Sequence, residues 1–153
     1  MRRLAHLLGN LAWWCAFPAL WLLLNDSQRT RLILRDGQGK VLVVRGWLAP
    51  NGKWNLPGGG LHRGEDPLAG LLRETHEEVG IVLDPKTVRK LGTGNVTSSG
   101  LRLRLHFFAA TLPGRSDTRL QWYEIADAGW VDPSTLSVAT AHTDVLESLR
   151  FLA

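Results

Sequence analysis

The sequence predicts one α/β-type domain with an apolar extension at its amino terminus, and three observations carry that prediction. Its 153 residues suit one ordinary domain with a real core. Short aliphatic and β-branched runs recur between turn residues, at 30–34, 41–45 and 101–111. Between them stands one strongly capped amphipathic helix, from Asp66 to Gly80. Hydrophobic residues at 44% and charged residues at 21% are a globular balance and exclude a disordered chain.

Residues 4–24 carry no formal charge, and this run of 21 is close to the roughly 20 that span a bilayer. No small-x-small cleavage site follows, which argues against a signal peptide. Arg2 and Arg3 on one side and Arg29 and Arg31 on the other leave the orientation of a span undecided, and His6, Asn10 and Pro18 weaken it. Trp13, Trp14 and Trp21 suit a membrane interface, so a helix lying on a membrane surface or docked on the domain competes with a transmembrane anchor. We divide the chain into this extension, residues 1–28, and a domain of residues 29–153.

The runs at 30–34 and 41–45 flank Asp36-Gly37-Gln38-Gly39, which reads as a β-hairpin. Residues 47–60 are loop-like, ending in Leu56-Pro57-Gly58-Gly59-Gly60. The helix follows, with Asp66 as its N-cap, Pro67 at its first position and Gly80 as its stop. Strand character is expected again at 81–83 and 90–94, and along 101–111, where Leu101, Leu103 and Leu105 alternate with Arg102 and Arg104. Segments 122–125 and 129–131 flank a short connection. Residues 144–152 read as a terminal helix with Val145, Leu146, Leu149 and Leu152 on one stripe.

The central helix holds the chemistry. At 100° per residue, Leu68, Leu71, Leu72, Thr75 and Val79 form a stripe for the core, and Glu74, Glu77 and Glu78 share the sector beside it. Carboxylates spaced i, i+3 and i+4 lie about 5–6 Å apart and repel one another unless something positive offsets them. A solvated acidic face is the plain reading of such a cluster. Its position beside the core stripe, just after a triple-glycine loop that lets a ligand approach the backbone, favours a platform for a hard cation such as Mg²⁺.

Gly59, Glu65, Arg73, Glu74, Glu77, Glu78 and Gly80, with Ile81, fit the pattern G-x5-E-x7-R-E-U-x-E-E-x-G-U, where U is aliphatic. Seven fixed residues, each used at roughly 7%, would match at a given start on the order of once in 10⁸. The segment from Gly59 to Ile81 thus resembles the Nudix box, with one departure, Thr75 at the first U position. The hairpin, the lead-in at residues 54–59 and the segment 124–130 also look like the usual flanks.

The resemblance implies an α/β/α sandwich around a mixed β-sheet, and hydrolysis of a nucleoside diphosphate linked to some group X, with Mg²⁺ as cofactor and Mn²⁺ as a substitute. Glu77 and Glu78 match metal-ligand positions, the Gly59 carbonyl a further ligand, and Glu74 a position that binds metal or activates water. Arg73 and Glu65 match positions that orient the helix and its carboxylates. Glu124 resembles a later loop glutamate that serves some members as ligand or base. A Nudix-like sensor that binds nucleotide without cutting it is the alternative, and the unbroken set of charged box positions argues against it.

For substrate contacts the candidates are Arg102 and Arg104, on alternate positions of one strand, and Trp54, whose ring could stack on a base; solvated arginines and a packed tryptophan are the simpler readings. A proline beyond the box that accompanies ADP-ribose preference is replaced here around Val96 and Thr97, and the sole tyrosine, Tyr123, lies away from the place that goes with dinucleoside polyphosphates. The net charge of +4 favours anionic partners. Nucleic acid is not the expected one, since the chain has no zinc-finger spacing, long basic run or RNP-like motif. The expected partner is a small nucleotide or other organic diphosphate. A single cysteine, Cys15, excludes an internal disulfide framework and fits a cytoplasmic enzyme, with membrane association through residues 4–24 and homodimer formation left open.

Overall fold

The Asp36 carboxylate shapes the first turn by accepting the Gln38 and Lys40 backbone N–H groups, both at 2.9 Å. This turn joins β1 (Ser27–Arg35) to β2 (Val41–Gly46) in a computed structural model that describes residues 27–47, 52–98, 101–113 and 125–152. The expected hairpin closes at its base only, where Arg35 pairs with Val41. Beyond that pair the two strands separate, and the glycine-rich loop fills the gap. Thr30 N–H donates to the Gly59 carbonyl and Leu32 N–H to the Pro57 carbonyl, while Leu61 N–H donates to Gln28; on the other side Asn55 exchanges two hydrogen bonds with Val44. The split puts the loop in the middle of the sheet.

The remaining strands are β3 (Arg89–Ser98), β4 (Leu101–Thr111) and β5 (Ile125–Val131), in the order β3-β4-β1-β2-β5. β1 and β4 run parallel and every other pair is antiparallel, so the sheet is mixed. β5 is one continuous strand where the sequence suggests two pieces, because Gly129, Ala128 and Asp127 pair with Val43, Val44 and Arg45. Residues 81–83 are not a strand. They lie in coil, and Ile81 and Leu83 are buried in the core without any ladder partner.

Helix α1 (Pro67–Val79) covers one face, with the Asp66 side chain accepting from Leu68 and Ala69 N–H and Gly80 N–H returning to the His76 carbonyl. Leu71 and Val79 pack on Leu32, Leu34, Leu42, Val44, Phe108 and Ala110. Thr75 is fully buried at its aliphatic box position, and its hydroxyl has no hydrogen-bond partner. Helix α2 (Thr143–Leu149), continued by a 3₁₀ turn at Arg150–Leu152, covers the opposite face through Val145, Leu146 and Leu149 against Ile33, Val41 and Leu56. These layers are the expected α/β/α sandwich. The proposed amino-terminal helix and Glu124 lie outside the described residues. No helix among the described residues is long and apolar enough to cross a membrane.

Candidate active site

Like-charge repulsion among Glu74, Glu77 and Glu78 demands compensation, and the structure supplies it from two sources. Arg73 is the first. Its guanidinium binds Glu65 through two nitrogens, at 2.9 and 3.0 Å, and donates to Glu74 at 2.9 Å, Glu77 at 3.0 Å and the Gly60 carbonyl at 3.0 Å. Five donors in a rigid fork make such a hub available to arginine and to no other side chain. These hydrogen bonds from Arg73 pull the Glu65 carboxyl down to about 2, and Glu65 in turn raises Arg73 above the ordinary arginine value. Glu65 also accepts the His62 N–H at 2.8 Å, so it ties the loop to the helix.

The second source is backbone. Gly58 N–H donates to Glu78 at 2.8 Å. Gly58 has φ of +124°, and a Cβ there would meet the Thr30 carbonyl oxygen at 2.5 Å, so glycine is required. A Cβ on Gly59 would collide with the Glu74 carboxylate. Two adjacent glycines thus let two glutamates of α1 reach the loop backbone. Glu74 is 15% exposed and Glu77 45%, so the face is graded from the buried seam to solvent.

A third layer was not legible as a site residue in the sequence. Arg31, on β1, donates to Asp144 of α2 at 2.9 Å, to the Gly58 carbonyl at 2.8 Å and to the Thr30 carbonyl at 3.1 Å. The pair is buried, with side-chain exposures of 5% and 1%. The Gly58 residue is therefore held at its carbonyl by Arg31 and at its N–H by Glu78. The cue present in the sequence, a charged residue inside the aliphatic run at 30–34, does not name its partner.

Among the described residues no three His, Cys, Asp or Glu side chains form a ready-made metal cluster. The donor chemistry nonetheless suits a hard cation. Glu74, Glu78 and the second lone pair of the Gly59 carbonyl, whose first accepts Thr30 N–H, are all oxygen donors gathered at two successive glycines. Arg102 and Arg104 line a cleft of about 390 Å³ with Asn95 and Thr97 on β3. Trp54 packs against the core beneath α2, and the Arg45 guanidinium sits 3.9 Å from its ring centre.

Comparison with known proteins agrees with this architecture. A family model of the NUDIX domain matches residues 27–152, and the chain belongs to that family. Nudix hydrolase 7 of Arabidopsis thaliana is 29% identical over 103 residues, covering 65% of this chain and 36% of the relative. An RNA pyrophosphohydrolase of Psychrobacter cryohalolentis is 42% identical over 74 residues, covering 48% of this chain and 39% of the relative. The matches thus span well under half the length of these two curated relatives. The crystal structure of a MutT NUDIX hydrolase from Burkholderia pseudomallei shares the fold, with a TM-score of 0.70, 21% identity, and coverage of 84% of this chain and 99% of that one.

Proposed function

We propose that residues 29–153 form a divalent-metal-dependent Nudix hydrolase that cleaves the diphosphate linkage of a nucleoside diphosphate joined to a group X, or of a related organic diphosphate. One observation carries the reading: a single arginine, Arg73, gathers Glu65, Glu74 and Glu77 against the loop, while Glu78 accepts the Gly58 N–H. Membership of the family and the names of its relatives, hydrolases among them, support it.

A diphosphate resists attack by hydroxide because its own negative charge repels that nucleophile. A bound Mg²⁺, or Mn²⁺ in its place, supplies the neutralisation of those oxygens. Glu74, Glu78 and the Gly59 carbonyl would hold it, joined by Glu77 once released from Arg73. Arg73 and Glu65 keep the helix and loop in register. Either Glu74 or Glu124 takes a proton from the attacking water as its oxygen bonds to phosphorus and the bridging P–O bond breaks. Such a base is typically worth about 10²–10⁴-fold.

The test is a Mg²⁺ assay over nucleotide sugars, nucleoside triphosphates, oxidised nucleotides, RNA with a 5′ diphosphate or cap, and isoprenyl diphosphates, with products identified by mass. Hydrolysis of at least one class, lost on chelation, is expected. Glu78→Gln should lower turnover on the order of 10³-fold while the protein stays folded; near-wild-type turnover would falsify the site assignment. Calorimetry that finds nucleotide bound but never cut would replace hydrolase with sensor.

A further inference from the structure

Arg29 has no part in the networks above, although its place in the sheet is unusual. It lies on β1 two residues before Arg31, so alternation puts both side chains on the face covered by α2. Asp144 and two carbonyls satisfy Arg31. Among the described residues Arg29 has no such partner, and its Nε is buried without a hydrogen bond. Burial, followed by the charge of Arg31, lowers its pKa, and the Glu74, Asp144 and Glu78 carboxylates oppose that shift at longer range. A partly buried cation in this position is stabilised when an anion joins it.

The backbone shows where an anion fits. Arg29 is bridged across the strand gap to Gly60, and a Cβ built on Gly60 meets nothing within 4 Å. Space is therefore open beside Arg29, one residue from the glycine that abuts the Glu74 carboxylate. We propose that Arg29 is a substrate-binding residue whose guanidinium holds a phosphate oxygen of the diphosphate in the space above Gly60. The inference deepens the hydrolase reading and rests on it for the identity of the anion. A planar guanidinium suits a phosphate oxygen through two parallel N–H donors. Arg31, locked by Asp144, cannot do this, and its charge makes an anion beside Arg29 more favourable.

Arg29→Gln and Arg29→Lys should raise KM for the best substrate roughly tenfold to a hundredfold, the range for losing charge-assisted hydrogen bonds, with kcat within about threefold of wild type. Guanidinium ion added to Arg29→Ala at tens of millimolar should restore part of the affinity. Calorimetry with methylenediphosphonate, which is not hydrolysed, should show the same loss of affinity. An unchanged KM and unchanged diphosphonate binding would overturn the proposal. So would a parallel loss of kcat and melting temperature without guanidinium rescue, which would make Arg29 structural. If the wild type cut none of the panel, the hydrolase reading would fail, and diphosphonate binding would still decide the role of Arg29.

Discussion

Two arginines organise this molecule, and they do so in opposite surroundings. Arg73 is 26% exposed and its carboxylate partners lie one, four and eight residues away. Arg31 is 5% exposed and its carboxylate lies 113 residues away. Both hold the same short loop, Arg73 through the Gly60 carbonyl and Arg31 through the Gly58 carbonyl. The difference teaches where function and stability part. Charges near water exchange partners at modest cost, which suits the role proposed for the carboxylate face, accepting cations and substrate. A buried charge that loses its partner is left in a medium that solvates it poorly, which suits a permanent anchor.

That contrast can be broken at Asp144. Asp144→Ala should destabilise the domain by about 3–5 kcal/mol in denaturant melts, because Arg31 stays buried without its carboxylate. Combining Arg31→Met with Asp144→Leu should recover most of the stability, yet leave hydrolysis impaired because the Gly58 carbonyl loses its donor. A double variant as unstable as Asp144→Ala would mean that the anchor works through packing rather than charge. The exposed hub should respond the other way. Arg73→Lys keeps the charge and removes the fork, so turnover should fall about tenfold while stability changes by only about 1 kcal/mol. A larger stability loss than in Asp144→Ala would reverse the comparison.

The smallest effect concerns pH. Glu65 has its carboxyl lowered from 4.5 to about 2 by Arg73, so the unfolded chain takes up that proton first. Its contribution to stability is present above pH 4.5 and is lost as pH falls toward about 2. Melting temperature should drop across that window, and Glu65→Gln should make the slope shallower. An identical slope in the variant would show that the ion pair contributes nothing measurable.

What could be read in the sequence follows the same division. Asp66, Pro67 and Gly80 mark the ends of α1, and residue spacing alone puts Glu74, Glu77 and Glu78 on one sector. The stretch 81–83 shows where such reading ends. Ile81 and Leu83 are buried and Val82 is exposed, but a short apolar run does not report whether a neighbouring strand is there to bond it. Asp127 and Gly129 look like turn residues by type, yet β2 pairs with both, because a ladder partner overrides local propensity. Trp54 packs against the core under α2 with Arg45 over its ring, a placement that no local pattern specifies.

The capped helix and the acidic sector on it were written in the residues themselves, since helical geometry sets side chains three and four apart next to one another without outside help. The parting of β1 and β2 around the glycine loop, the meeting of Arg31 with Asp144 and the lack of a carboxylate for Arg29 among the described residues emerged only in the folded chain. Those outcomes depend on which distant segments the closed sheet brings together, and no periodicity along a chain encodes a partner more than a hundred residues away.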